Sequence, residues 1–466
     1  MYKHGIYTFE SDTALTVPVR ADSAIQVVIG TAPVHLVDSS PVNTPVLAFN
    51  FGEAASRVGY SDDYEKFTIC QAMDMGFRKY GVAPQIYINV LDPARHNAAG
   101  TEVAFSFDLQ GRHTLANSMI ITDSNFKLTS DEASSDLVLG EDYTLARNSD
   151  GTVTINLTAA ESGTYTAVYN VVEPSAVTTK DIIDGFAAIT DIYPRFNIVP
   201  TILLAPGWTH NPAVAMALEA ATYKISSVFN AVAICDIDPS VKHDEAGKWK
   251  NDNGYVLNNM IACYPKATLA GVDYWKSAVL AAHMAMVDSQ NGSLPFESPS
   301  NKAARITGIV DGNGDEIILT LEQANLLNGQ GIVTALNMGG WRIWGNNMAS
   351  FPASTDYKNR WIPVRRMMQF LQNTFTLAYF QRVDKPMNPR QIEAVITSEN
   401  LRLNGLVAVG ALHQGARIEF PVDLNPPTAL MDGIVTFKTW FTPPAPMEAI
   451  VNIFEIDTNA FAGLAG

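Results

Sequence analysis

Few side chains in this 466-residue sequence stand at spacings that could do chemistry. Its eight histidines are His4, His35, His96, His113, His210, His243, His283 and His413, and none forms an HExxH pair or another short ligand spacing. His283 falls in an apolar stretch and reads as a core histidine with its hydrogen bonds satisfied. Cys70, Cys235 and Cys263 are far apart, sit among apolar residues and lack CxxC spacing, so they read as reduced, buried thiols. There is no GxSxG elbow and no Walker loop. Nothing draws a Ser, a His and an Asp together as a triad. Asp311-Gly-Asn-Gly-Asp-Glu316 starts like a calcium loop, and Glu322 falls at its twelfth position. Glu316, however, occupies the sixth, where the sharp turn needs glycine, so a tight turn is expected, followed by a strand from Ile317. Leu204-Ala205-Pro206-Gly207 reads as a strand exit rather than a ligand turn, and Trp341 with Trp344 as packing. No catalytic, cofactor-binding or metal-ligating residue is assigned, and no cofactor is expected.

The positive charges are the other chemical feature. The chain carries a net charge of −16, which argues against non-specific binding of nucleic acid or acidic lipid. Residues 341–402 nonetheless hold nine Lys and Arg against four Asp and Glu. Within them Arg360, Arg365 and Arg366 form either a solvated helix face or an interface. With 47% hydrophobic and only 17% charged residues, the chain is globular, has little surface charge and suits a protein that hides surface in an assembly. MYKHGIYTFESD has no apolar core of a secretory signal, and no apolar run is long enough to span a bilayer. Folding in a cytoplasm is expected.

The elements that must carry these residues fall into six segments. Residues 1–20 form an arm, in which Gly5-Ile6-Tyr7-Thr8-Phe9 alternates like a strand without an adjacent partner. Residues 21–99 form an α/β part. It has a strand Ile25–Ile29, a helix capped by Ser61 with Tyr64, Phe67, Met73, Phe77 and Tyr80 on one stripe and Gly81 past its end, and a strand Ile86–Val90. Residues 100–175 lose helical periodicity and read as a β-sandwich, with a hairpin 143–147/153–157 and a strand from Tyr165. Residues 176–350 return to α/β. The buried strand Ile198–Leu204 precedes a helix capped by Asn211-Pro212 with a stripe of Val214, Leu218, Ala221, Ile225 and Val228. The strand Ala231–Ile237, a parallel neighbour, follows, then a helix over Val272–Val287 and one after Thr320 with Gln323 completing a capping box. Residues 351–446 are an α+β unit with helices Val364–Arg382 and from Asn388-Pro389, and strands near Arg417–Val422 and Gly433–Phe441. After Pro443, Pro444 and Pro446, residues 447–466 form a second arm with a strand Ile450–Ile456.

Several stretches carry a resemblance when taken in order. They are His4-Gly5-Ile6-Tyr7, Ala24-Ile25-Gln26-Val27-Val28-Ile29-Gly30-Thr31-Ala32-Pro33, Ile202-Leu203-Leu204-Ala205-Pro206-Gly207, Trp341-Arg342-Ile343-Trp344-Gly345 and Arg360-Trp361-Ile362-Pro363-Val364-Arg365-Arg366, followed by Leu401-Leu403-Gly405 and the acidic C-terminal strand. Together they resemble the contractile tail sheath proteins of bacteriophages and phage-like particles, including R-type bacteriocins and contractile injection systems. Asn346-Asn347-Met348 stands where many members have Arg-Thr.

The resemblance implies a subtilisin-like α/β core without a protease triad, an inserted β-sandwich, an α+β C-terminal domain and arms exchanged between neighbouring subunits. It implies a structural protein, not an enzyme, that polymerises around a tail tube and contracts to drive the tube through a cell envelope. The implied partners are further copies of the chain, the tail tube protein, and baseplate and tail terminator proteins, with no direct nucleic acid and no membrane insertion. The implied location is the tail of a virion or phage-like particle assembled in the host cytoplasm. Gly5, Ile6, Tyr7, Thr8, Phe9, Ile450, Val451, Ile453, Phe454 and Ile456 are then the inter-subunit arm residues. Lys358, Arg360, Arg365 and Arg366 are the candidates to face the tube, with one of the last two able to form a buried pair instead. The competing readings are an α/β hydrolase-type enzyme with a β accessory domain, and another virion component such as an adhesin or capsid protein.

Overall fold

The computed structural model describes residues 22–38, 41–132, 135–159 and 162–458. Gly5, Ile6, Tyr7, Thr8 and Phe9 lie outside the described residues. The chain first lays down β1 (Gln26–Gly30), β2 (Pro45–Ala48) and β3 (Gln85–Asn89). Between them, Asn50 caps an unexpected helix, Phe51–Val58, by accepting the Glu53 amide. Ser61 is not the helix cap expected. Its hydroxyl accepts the Asp63 amide in a turn. The helix begins only at Thr68, whose amide Thr31 Oγ1 accepts, and passes from α-helix (Thr68–Met73) to π-helix (Asp74–Tyr80) before Gly81 ends it in the left-handed region.

A β-sandwich follows, made of β4 (Asn97–Ser106), β5 (Arg112–Leu115), β6 (Lys127–Ser130), β7 (Ser135–Leu137), β8 (Tyr143–Arg147), β9 (Val153–Leu157) and β10 (Thr164–Val172). One sheet runs β4-β10-β6-β7 and the other β5-β9-β8. The hairpin register pairs Tyr143 with Leu157 and Arg147 with Val153. Alternation puts Tyr165, Ala167 and Tyr169 of β10 on Phe105, Leu128 and Ile155, a core separate from that of the main sheet.

The chain then completes the main sheet with β11 (Ile202–Leu204), β12 (Val232–Asp236) and β13 (Met260–Cys263). The small strands β14 (Lys266–Leu269), β15 (Val272–Tyr274) and β16 (Gly308–Val310) follow, and the hairpin β17 (Ile332–Asn337) and β18 (Trp341–Trp344) returns to the main sheet. The main sheet runs β18-β17-β13-β12-β11-β1-β3-β2, with six parallel strands between two antiparallel edges. Its central strands are wholly buried, which explains their unbroken Val, Ile, Leu and Ala runs. The helix pairs Thr68–Tyr80 with Lys276–Gln290, and Thr179–Gly185 with Pro212–Ala220, pack against it.

Several helix expectations shift. Asn211 caps Pro212–Ala220, but that helix stops at Ala220. Val214 and Leu218 are buried on it, while Ile225 sits in the following turn and Val228 is exposed. Val272–Tyr274 pairs with β14 instead of opening a helix, so the helix begins at Lys276. Thr320 and Gln323 form the expected capping box. Asp311 folds its carboxylate onto the Asn313 and Asp315 amides, making the expected tight turn, but Ile317–Leu319 forms no strand.

The C-terminal unit has helices Ile362–Tyr379 and Pro389–Ala408 and a two-stranded antiparallel sheet, β19 (Arg417–Glu419) with β20 (Lys438–Trp440). Met367, Phe370, Leu371, Leu403, Leu406 and Ile418 form its core. The strand expected at Ile450–Ile456 does not form: among the described residues no strand pairs with it. Among the described residues no helix is long and apolar enough to cross a membrane.

Candidate functional site

An enzyme on this scaffold would use the crevice where the strand order reverses, between the C-terminal ends of β1 and β11. The chain fills that crevice itself. Thr31 and Thr68 bond each other's backbone amides, and Trp208 Nε1 donates to Thr68 Oγ1 at 3.2 Å. A side chain at Gly30 would meet Thr68 Oγ1 at 2.3 Å, so the helix packs directly on the strand end. Next to it, the buried Asp236 accepts from the Ser277 hydroxyl, the Ser277 amide at 2.8 Å, Thr209 Oγ1 at 3.2 Å and Cys263 Sγ at 3.4 Å. Burial raises the Asp236 pKa and lowers that of the neighbouring Lys276 to about 8. Ser277 has no exposed surface, so this network is structural.

The histidines and cysteines follow the same logic. His283 Nε2 contacts the Pro299 carbonyl at 3.0 Å, and His35 Nε2 that of Ser118 at 3.0 Å. Burial lowers both to a pKa of about 4. Cys70, Cys235 and Cys263 are free and buried, with burial raising Cys70 to about 12. Among the described residues no group of three His, Cys, Asp or Glu side chains could hold a metal ion.

The surface that stands out is the C-terminal arm. Met447, Ile450, Val451, Ile453, Phe454 and Ile456 are all exposed, Phe454 by 91%. Singly exposed apolar residues are ordinary, but six within ten residues mark a surface made to be covered. The arm is held to the body at its base. Tyr357 donates its hydroxyl to the Pro443 carbonyl. Arg360 Nη2 reaches Glu448 at 3.2 Å, and Asn347 Nδ2 donates to the same carboxylate at 3.4 Å. Arg360 itself lies over the Trp361 ring at 4.0 Å and the Phe351 ring at 4.8 Å. Beside this base is an open polar cavity of about 690 Å³ lined by Ser298, Asn328, Trp344 and Asn346.

The β19–β20 sheet is the second part of the site. On its β19 side, Asn400 Oδ1 accepts the Ile418 amide at 2.9 Å and Nδ2 donates to the Ile418 carbonyl at 3.2 Å, so one side chain takes the place of a neighbouring strand. Ile418 therefore turns its backbone groups away from its partner Thr439, and by the same pairing rule Thr439 turns its own outward from β20. Asn425 bonds both backbone groups of Thr436 where Pro421 has no amide to offer. Among the described residues no strand pairs with the outer edge of β20.

The basic residues do not form one face. Arg366 makes a two-pronged ion pair with Asp288, with the side chains only 4% and 1% exposed, and also donates to the Ser23 carbonyl at 2.8 Å. It therefore has no surface to offer a tube. Arg365 turns inward to Asn259 Oδ1 at 2.7 Å and Asn359 Oδ1 at 3.3 Å. Arg360 is engaged at the arm base, and only Lys358, paired with Asp356, lies fully at the surface. Glu448, Asp288, Ser23 and Asn400 were missed by sequence reasoning. Only Glu448 had a signal, as the acid directly after the proline run.

No family model matches the chain. It is 29% identical over 495 aligned residues to the tail sheath protein of Burkholderia phage BcepMu, covering 100% of this chain and 99% of that one. Its fold is like that of the PVC sheath, an extracellular contractile injection system in the contracted state, with a TM-score of 0.60 at 14% identity, covering 99% of each chain. It is equally like the contracted helical sheath of the anti-feeding prophage, with a TM-score of 0.59 at 15% identity, covering 98% of this chain and 100% of that one. A match over the full length in sequence joins here with the same fold, an exposed arm and a filled crevice: the chain is similar over its whole length to contractile tail sheath proteins.

Proposed function

We propose that the chain polymerises into a helical contractile sheath by lending its C-terminal arm to the open β20 edge of a neighbouring copy. The role is structural and not that of a hydrolase, as its sheath relatives indicate. The observation that carries the docking mode is the pairing of needs in one chain: among the described residues, an extended apolar arm has no strand partner and a two-stranded sheet has one edge unpaired. A two-stranded sheet is marginal by itself, and strand addition supplies backbone hydrogen bonds without requiring a fixed angle between bodies. Subunits joined in this way can change their body contacts and remain linked, as a bistable assembly requires.

The finer parts of the reading are that the sheath encloses a tail tube, meets a baseplate and a tail terminator, and drives the tube through a cell envelope. The α/β core is read as subtilisin-like in type. The particle is assembled in the bacterial cytoplasm, and Lys358 remains the tube-facing candidate with a free surface. The test is negative-stain microscopy of the purified chain with and without residues 447–466. Full-length chain should form hollow tubes, and the truncated chain should stay folded as single particles. Equal tube formation by both would overturn the docking mode.

A further inference from the structure

Both ends of the described chain bond to one short stretch, Tyr357–Arg366, which joins the helix Tyr357–Arg360 through the extended Trp361 to the helix Ile362–Tyr379. At its start, Tyr357 and Arg360 hold the C-terminal arm through the Pro443 carbonyl and Glu448. At its end, Arg366 holds Ser23, the second described residue after the N-terminal segment, through the Ser23 carbonyl. Ser23 in turn donates its hydroxyl to Asp288 at 2.8 Å. The two attachments differ in burial. The Arg366–Asp288–Ser23 knot is sealed from solvent, whereas Arg360 and Glu448 remain 31% and 38% exposed. Water and salt compete with the second pair and not with the first.

We propose that Tyr357–Arg366 is a coupling stretch that holds the chain at Ser23 permanently and the C-terminal arm reversibly. This rests on the arm-exchange reading and adds what that reading lacks: a division of labour between the Ser23 end and the C-terminal arm. Load at the Ser23 end enters two long helices, because Arg366 lies on the helix Ile362–Tyr379 and Asp288 on the helix Lys276–Gln290. The buried knot transmits that load into the α/β core. The Arg360–Glu448 latch sets the direction in which the C-terminal arm leaves, and gives way when neighbouring copies change their positions. The basic cluster is thus an internal anchor of the assembly.

The experiment uses the full chain with nitroxide labels at Ala449→Cys and Glu322→Cys, diluted with unlabelled chain, the three native thiols being buried. The pulsed-EPR distance distribution should broaden about twofold when salt is raised from about 0.05 M to about 0.5 M, a range over which the screening length falls severalfold. Arg360→Glu or Glu448→Arg alone should give the broad distribution at low salt, and the swapped double variant should restore the narrow one together with tube yield. Labels at Asp22→Cys and Glu322→Cys should give a distribution insensitive to salt and to both latch variants. A C-terminal distribution unmoved by salt and by both reversals would overturn the inference, as would an Asp22 distribution that broadens with salt. If the chain without residues 447–466 still forms tubes, the arm-exchange reading itself fails. If that truncation abolishes tubes while the latch variants match the parent chain, only the coupling inference fails.

Discussion

Arg366 and Asp288 show how one buried pair can decide the fate of a local motif. Two charges this far from water are costly unless they are well bonded, and here each partner makes a further hydrogen bond to Ser23. Removing one partner leaves the other uncompensated. Arg366→Ala or Asp288→Ala should therefore cost about 3–5 kcal/mol in urea unfolding, whereas Arg366→Met with Asp288→Leu should be far milder. A single variant as stable as the parent would show that water reaches the pair. The buried histidines give a pH dependence of defined sign. His35 and His283 have folded pKa values of about 4 against 6.5, so the unfolded chain binds more protons as acid is added. Their stabilisation is complete above pH 6.5 and is lost as pH falls toward 4, by roughly 3 kcal/mol for each at the acid end. His283→Gln keeps a donor for the Pro299 carbonyl and should flatten the slope between pH 6.5 and 4.5. An unchanged slope would contradict this.

At the level of elements, the Asn400 side chain closes the outer edge of β19. Asn400→Ala should destabilise the C-terminal unit by about 1–3 kcal/mol and increase disordered aggregation in light scattering, because it leaves two part-buried backbone groups of Ile418 unpaired at a sheet edge. Unchanged stability and solubility would show that the edge is protected by other means. The sequence disclosed the elements whose signals are local: the parallel strands by their apolar runs, the helix starts at Asn211, Thr320 and Asn388 by their caps, and the hairpin 143–157 by its turn residues. Where distant contacts decide, it misled. Ser61 looked like a cap, yet Thr31, far away in sequence, caps the helix at Thr68. Val272–Tyr274 continued a helical pattern but is taken by pairing with β14. Ile450–Ile456 alternates as a strand should, yet the described residues offer it no partner. The basic residues misled for the same reason: composition counts Arg365 and Arg366 as surface charge, and only tertiary packing shows their buried partners.

At the scale of the molecule, the described residues form three cores and an exposed C-terminal arm. The sandwich Asn97–Val172 owns its core, and we expect it to lie on the outside of the sheath. Replacing residues 97–172 by a short Gly-Ser linker should leave tubes forming, and loss of tubes from a still-folded variant would place this unit in the lattice. The central claim is that the arm of one copy completes the sheet of another. It is tested most directly by disulfide trapping in tubes of a Phe454→Cys, Thr439→Cys chain, since the native cysteines are buried. The account predicts a ladder of covalent multimers on a non-reducing gel, abolished by omitting either substitution. Tubes that form normally and yield only monomers after oxidation would contradict it.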